Sequence, residues 1–128
     1  MCGICGEFRF DGQYPELERI RKMLAKLAPR GPDDEGLYSY ESLAFGHRRL
    51  SIIDLSDKAH QPMVDAALGL TIVFNGTIYN YPELRAQLVD KGHQFYSTGD
   101  TEVILKAYAE WGEYCVERLH GMFAFAIW

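Results

Sequence analysis

The sequence has few cysteines, no long apolar run and no excess of positive charge, and each absence excludes a class of protein. Three cysteines in 128 residues are too few, and odd in number, for a disulfide scaffold, so we expect a reducing, cytoplasmic location. The formal net charge of −5 disfavours nucleic-acid and membrane-surface partners, because both attract basic patches. No apolar stretch approaches the ~20 residues of a membrane span, and the N-terminus lacks the basic and apolar regions of a secretory signal.

The composition is otherwise that of an ordinary globular domain. Apolar residues make up 48% of the chain and charged residues 24%, and the length is sufficient for one domain with a real core. The final segment, Gly121–Trp128, is typical of a strongly apolar strand. Because such a strand would be an aggregation hazard as a free edge, we expect the chain to be a C-terminally truncated piece of a longer protein.

Apolar periodicity predicts an α+β fold with a largely antiparallel sheet. Strands are predicted at residues 3–10, 36–41, 42–48 and 70–74, with a further strand at the C-terminus. The strand at 70–74 is expected to end at Asn75-Gly76. Helices are predicted from Pro15, from Tyr81 with Leu84, Leu88 and Val89 facing inward, and from Asp100 to about Trp111, with Asp100 as the N-cap.

Cys2 is the first candidate functional residue. Aminopeptidases remove Met1 readily when the next side chain is small, and Cys2 would then carry both a thiol and a free α-amine that can act as its base. Cys2 and Cys5 also form a CxxC motif, which leaves a redox or metal module as an alternative. That alternative has little support, because Cys115 is isolated and has no histidine at ligand spacing. Residues three apart in a strand point to opposite faces, so we expect Cys5 to be a core residue.

Three further positions are open to two interpretations each. Arg49 could hold a carboxylate with its planar guanidinium, or it could form an ordinary salt bridge with Asp54. Asn75 and the backbone N–H of Gly76 could bind an oxyanion, although Asn-Gly is also a strong turn signal. Asp100 could hold a substrate ammonium, or it could serve only as a helix cap.

Six motifs in order along the chain carry a family resemblance. They are Met1–Ile4, Arg30–Asp33, His47–Ile52, Phe74–Asn80, Gly99–Ile104 and Gly121–Ala126. The ordered set resembles the class II glutamine amidotransferase domain of asparagine synthetase-type enzymes over essentially the whole chain. The resemblance implies the N-terminal nucleophile hydrolase fold, a four-layer αββα sandwich of antiparallel sheets, here C-terminally truncated. It also implies that residues 1–128 are a glutaminase domain, incomplete at its C-terminus, whose synthetase domain is absent.

The resemblance also implies a role for each site residue. Glutamine would be hydrolysed through a thioester on its side-chain carbonyl carbon, and the released ammonia would feed the ATP-dependent amidation of a carboxylate. The catalytic residues would be Cys2, Asn75 and Gly76; the substrate-binding residues would be Arg49, Ile52, Asn75, Gly76 and Asp100. Within this set Cys2 would be the nucleophile, and Asn75 and the Gly76 N–H would bind the oxyanion. Arg49 would hold the α-carboxylate of glutamine, and Asp100 would hold its α-ammonium. Ile52 would contact the substrate through its backbone carbonyl. No metal site is implied.

The branch of the family depends on other segments. Thr77 stands where asparagine synthetases usually carry Glu, and the segments 8–12, 61–65 and 70–76 resemble N-acetylglutaminylglutamine amidotransferases. The amide acceptor would therefore be aspartate or N-acetylglutaminylglutamine. We expect no cofactor in this fragment, and ATP and Mg²⁺ in the absent synthetase domain. The expected partners are glutamine and that synthetase domain. A second copy of the chain, in a homodimer, is a further candidate partner. The main alternative is a catalytically incomplete binding or assembly fragment of the same fold.

Overall fold

The computed structural model describes residues 1–128, and its strands form two three-stranded antiparallel sheets. The strands are β1 (Gly3–Phe8), β2 (Asp34–Tyr40), β3 (Leu43–Arg49), β4 (Met63–Asp65), β5 (Leu70–Ile78) and β6 (Gly121–Ile127). The first sheet has the order β1-β3-β2 and the second the order β4-β5-β6. The β2–β3 hairpin appears where alternation predicted it, and β6 confirms the predicted C-terminal strand.

Three α-helices cover the outer faces of the two sheets. They are α1 (Leu17–Leu27), α2 (Tyr81–Asp90) and α3 (Asp100–Trp111), with 3₁₀ turns at Ala28–Arg30, Asp57–Ala59 and Gly112–Arg118. Helix α1 packs on β1 and β3, α3 packs on β4 and β5, and the sheets face each other through β1, β3 and β5. The predicted αββα layering is confirmed. No helix combines the length and the apolar character that crossing a membrane requires.

The largest hydrophobic core lies between the second sheet and helices α2 and α3. A smaller cluster joins α1 to the first sheet through Ile20, Leu24 and Ala44. In α2 the buried residues are Leu84 and Leu88, one turn apart, whereas Val89 is 53% exposed. The prediction that Val89 faces inward is wrong, because the next residue after a buried one lies about 100° further around the helix.

Strand β5 does not end at Asn75-Gly76, and the prediction that it would is wrong. The strand continues to Ile78 because β6 pairs with it along its length, with Asn75 opposite Ala124 and Gly76 opposite Phe123. Gly76 has φ +152°, and a Cβ atom there would collide with the Met122 carbonyl oxygen. Glycine is therefore needed for close approach to β6 rather than for a turn.

Candidate active site

One cavity contains all of the predicted site residues. Its lining includes Cys2, Arg49, Ile52, Asn75, Gly76 and Asp100. These residues come from the segment before β1, the end of β3, the loop after β3, the middle of β5 and the first turn of α3. The fold therefore brings together residues that are far apart in sequence.

Cys2 lies immediately before β1 and is held by backbone groups. Its Sγ accepts a hydrogen bond from the Leu50 N–H at 3.4 Å and lies 3.7 Å from the Leu50 carbonyl oxygen. The Arg30 Nε donates to the Cys2 carbonyl oxygen at 3.1 Å. Arg30, at the end of the 3₁₀ turn that follows α1, therefore fixes the backbone of Cys2, and the side chain of Cys2 lines the cavity.

Cys5 lies on the face of the first sheet that packs against α1, away from the cavity that Cys2 lines. It packs against the cluster formed by α1 residues Ile20 and Leu24, and burial raises the pKa of its thiol. All three cysteines are free thiols, and no three His, Cys, Asp or Glu side chains are grouped so that they could hold a metal ion. The geometry agrees with a core role for Cys5 and gives the CxxC alternative no support.

Arg49 brings a positive charge without a carboxylate partner into the cavity wall. It is the last residue of β3 and is 7% exposed. Its guanidinium donates to the backbone carbonyl oxygens of Asp54 and Ser56, the latter at 3.2 Å. None of the ion pairs in the structure includes Arg49. The alternative of an Arg49–Asp54 salt bridge is therefore wrong, and the guanidinium remains available to an anion.

The Asp54 carboxylate is used to hold the loop after β3. It accepts hydrogen bonds from the Thr98 N–H at 2.7 Å and from the Ser56 N–H at 3.0 Å. Burial works in the opposite direction, but these bonds hold the pKa of Asp54 well below its usual range. Asp54 thus links the loop that holds Arg49 to the segment that precedes α3. From the sequence alone, Asp54 is expected only as an ion-pair partner of Arg49.

Asp100 is the negative counterpart of Arg49. It is 5% exposed, and its Oδ2 accepts a hydrogen bond from the Ile78 N–H at 3.0 Å. No cation pairs with it, and burial raises the pKa of its carboxyl. The prediction that Asp100 is the N-cap of α3 is wrong, because Gly99 is the N-cap and no side chain caps this helix. The carboxylate binds β5 and borders the cavity instead.

The middle of β5 presents backbone groups to the cavity. Tyr79 donates its N–H to the His120 carbonyl oxygen, next to β6. Backbone groups alternate in direction along an antiparallel strand, so the N–H groups of Phe74, Gly76 and Ile78 point away from β6. On that side β4 pairs only with residues 70–72 of β5. The Phe74 N–H is bonded to the Gln61 side chain at 2.7 Å and the Ile78 N–H to Asp100.

The Gly76 N–H lies between these two bonded groups, at a position where no strand covers β5. The neighbouring Asn75 makes no side-chain hydrogen bond, and its Oδ1 is buried without a partner. A buried amide without a partner is uncommon in native proteins. The Asn75 Nδ2, which has no hydrogen-bond partner in the protein, and the Gly76 N–H can therefore supply two donors to a negatively charged oxygen in the cavity.

His47 and Gln61 are the polar residues of this region whose roles sequence reasoning missed. The His47 Nε2 lies 3.0 Å from the Phe74 carbonyl oxygen. Burial, together with nearby His60 and Arg49, lowers the pKa of His47 to about 4, so the imidazole is neutral at pH 7 and Nε2–H is the donor. Isolated polar residues give no local signal, because their partners are set by the packing of distant strands.

Comparison with known proteins settles the family. Residues 1–128 match the glutamine amidotransferase domain along their whole length. The chain belongs to this family. Asparagine synthetase [glutamine-hydrolyzing] 3 of Bacillus subtilis is 44% identical over 131 residues. Asparagine synthetase B [glutamine-hydrolyzing] of Escherichia coli is 39% identical over 129 residues. Both alignments cover 100% of this chain but only 21% and 23% of the relatives, so the chain spans about one fifth of their length.

A solved structure gives independent support for the fold. The glutamine phosphoribosylpyrophosphate amidotransferase of Bacillus subtilis superposes with a TM-score of 0.57 at 24% identity, over 70% of this chain and 22% of that one. This likeness supports the N-terminal nucleophile hydrolase architecture. The prediction of a class II glutamine amidotransferase domain of the asparagine synthetase family is confirmed.

Proposed function

We propose that this domain binds glutamine and hydrolyses it to glutamate and ammonia through Cys2. One observation carries the proposal: Arg49 and Asp100, both buried and both without an ion-pair partner, line the same cavity as the Cys2 thiol. An α-amino acid is a zwitterion, so its carboxylate and ammonium complement these two charges. Leaving a buried charge unpaired is costly in a folded protein, which favours a role in binding a ligand.

The proposed reaction follows from the groups around Cys2. Removal of Met1 frees the α-amine, which takes the thiol proton as the sulfur attacks the side-chain amide carbon of glutamine. The carbonyl oxygen becomes an oxyanion, which the Asn75 amide and the Gly76 N–H stabilise. The C–N bond breaks, and the amine returns the proton so that ammonia leaves. Water then hydrolyses the thioester to glutamate. The Ile52 carbonyl would complete the contacts with the substrate.

The wider protein is also a matter of proposal. Residues 1–128 would be a glutaminase domain, incomplete at its C-terminus, that passes ammonia to a synthetase domain for amidation of aspartate or N-acetylglutaminylglutamine. Thr77 and the segments described above favour the second acceptor. ATP and Mg²⁺ would bind in the synthetase domain. We further propose a cytoplasmic location, and a homodimer as one assembly.

The test combines protein mass with glutaminase activity. Intact mass identifies the N-terminal residue, and a chloroketone analogue of glutamine should add once, at Cys2, in parallel with ammonia release. Cys2→Ala should lose both the adduct and the activity, whereas the matched control Cys5→Ala should keep them because Cys5 packs against α1. A folded, Met-processed protein that forms no adduct on Cys2 would refute the proposal.

An assembly fragment without turnover is the second candidate, because β6 is an edge strand that carries exposed apolar side chains. Met122 in β6 is 67% exposed, and Trp128, which follows the strand, is 41% exposed. Light scattering combined with the ammonia assay separates the two functions. An inactive protein that associates through β6 would support the second candidate, and an active monomer would exclude it.

A further inference from the structure

Both backbone polar groups of Phe74 are bonded by side chains. Its N–H donates to the Gln61 Oε1 at 2.7 Å, and its carbonyl oxygen accepts from the His47 Nε2 at 3.0 Å. Both contacts lie where β5 extends beyond its pairing with β4, which ends at the Met63–Ile72 pair. The two side chains therefore replace the missing strand on that side of β5.

Gln61 and His47 are themselves fixed by burial and by the elements that carry them. Gln61 is 5% exposed, and its Nε2 donates to the Thr101 Oγ1 at 3.3 Å. Thr101 follows Asp100 in α3, so Gln61 joins the middle of β5 to the helix that carries the proposed ammonium ligand. His47 is 1% exposed and belongs to β3 of the facing sheet. The backbone of Phe74 is thus tied to α3 through Gln61 and to the facing sheet through His47.

We propose that Gln61 and His47 are positioning residues that set the orientation of the oxyanion donors. The Asn75 side chain and the Gly76 N–H follow directly after Phe74 in β5, so a twist of the backbone at Phe74 would turn both donors away from the oxyanion. Oxyanion donors act only when they lie within hydrogen-bond distance of the transition-state oxygen, and a displacement of about 1 Å can cost about 100-fold in rate. This inference rests on the proposed glutaminase reaction.

The expected consequence is a loss in kcat with little change in KM. Gln61→Met keeps the length of the side chain and removes its acceptor, so we expect kcat to fall at least about tenfold. KM should change less than about threefold, because Arg49 and Asp100 still bind the zwitterion. For His47, we expect His47→Leu to show the same loss and His47→Gln, which retains an N–H donor, to recover most of it.

Two readouts separate positioning from a general loss of structure. An aldehyde analogue of glutamine adds to the Cys2 thiol to give a hemithioacetal whose oxygen occupies the oxyanion position, so its inhibition constant should rise by the same factor as kcat falls. Alkylation of Cys2 by iodoacetamide forms no oxyanion, and its rate should not change.

Ser97→Ala is the matched control. Ser97 is 2% exposed, and its hydroxyl donates to Glu102 rather than to β5. The control should lose stability and retain kcat. The inference is overturned if Gln61→Met keeps kcat and aldehyde affinity within about twofold of wild type, or if Ser97→Ala at equal stability loses as much.

Two further outcomes are also decisive. If Gln61→Met fails to fold, the His47→Leu and His47→Gln pair carries the same comparison, and equal kcat values for the two would overturn the inference. If the wild-type protein itself releases no ammonia, the proposed function fails and the inference fails with it. An active wild type with unaffected variants removes the inference alone.

Discussion

At the scale of single residues, the most informative contacts are those that Arg49 and Asp100 do not make. Arg49 is satisfied by two backbone carbonyl oxygens and Asp100 by one backbone N–H, so each keeps its charge without a counter-ion. Sequence reasoning identified both residues but could not separate binding from ordinary structural roles. The distinction depends on the partners of each side chain, and these come from loops whose positions are set by the whole fold.

The unpaired charge of Asp100 should cost stability and favour binding. Asp100→Asn keeps an acceptor for the Ile78 N–H and removes the charge, so we expect equal or higher thermal stability and a glutamine KM raised at least about tenfold. Because the folded-state pKa of Asp100 is raised, the wild type should lose stability as pH rises through that pKa, and the variant should lack this loss. Calorimetry between acid and neutral pH checks the sign. A lower stability of Asp100→Asn at neutral pH would contradict the argument.

Asn75 should act on the transition state. Asn75→Ala removes one proposed oxyanion donor, which typically costs about 2.7–4 kcal/mol of barrier, so kcat should fall about 10²–10³-fold with little change in KM. Steady-state ammonia release measures both constants. Asn80→Ala is the control, because the Asn80 side chain bonds Arg118 and His120 and should affect stability alone. A change confined to KM would assign Asn75 to substrate binding.

At the scale of elements, helices and hairpins were predicted well and β5 was not. Helix α3 ends at Trp111 as predicted and begins at Asp100, one residue earlier than an Asp100 N-cap would give, because its apolar spacing is a local signal. The Asn75-Gly76 pair gives the same local signal in a turn and in this strand. Only the pairing of β5 with β6, much later in the chain, decides between them. Ile52 is 72% exposed at the cavity, and its contact with substrate stays a prediction.

Gly76 should be far less tolerant of a side chain than a glycine of positive φ in open space, such as Gly12. Gly76→Ala adds a collision with the backbone of β6 to an unfavourable φ, and we expect it to destabilise the fold by more than about 3 kcal/mol. Gly12→Ala is the matched control, with φ +75° and nothing within 4 Å, and should cost about 1–2 kcal/mol. Urea denaturation measures both variants. Equal losses would show that β6 can move away from β5.

At the scale of the whole molecule, the αββα layering follows from the order of elements, but the bonds between layers do not. His47 lies on one sheet and bonds Phe74 on the other. Nothing in its sequence neighbourhood indicates that the imidazole is buried. Gln61 is similar, because its segment has no regular structure and its partners are β5 and α3. The family motifs located the cavity residues, whereas the side chains that support them required the structure.

His47 should make the stability of the two-sheet packing depend on pH. Its pKa is lowered to about 4 in the folded protein, against about 6.5 in an unfolded chain. The unfolded state therefore binds the extra proton between these values, and stability should fall by up to about 3 kcal/mol as pH drops from 6.5 to 4. The comparison is with His47→Gln, which removes the titrating imidazole and should flatten the slope. Identical slopes would contradict this assignment.

The cavity draws its groups from four distant parts of the chain, at Cys2, Arg49, Gly76 and Asp100. Contacts between such separated residues form late in folding, because the loops that join them must close first. A growing or partly folded chain can therefore bear the thiol without the oxyanion donors or the charges that hold the substrate. Under the proposed function, hydrolysis of glutamine would then begin only once both sheets and α3 have docked.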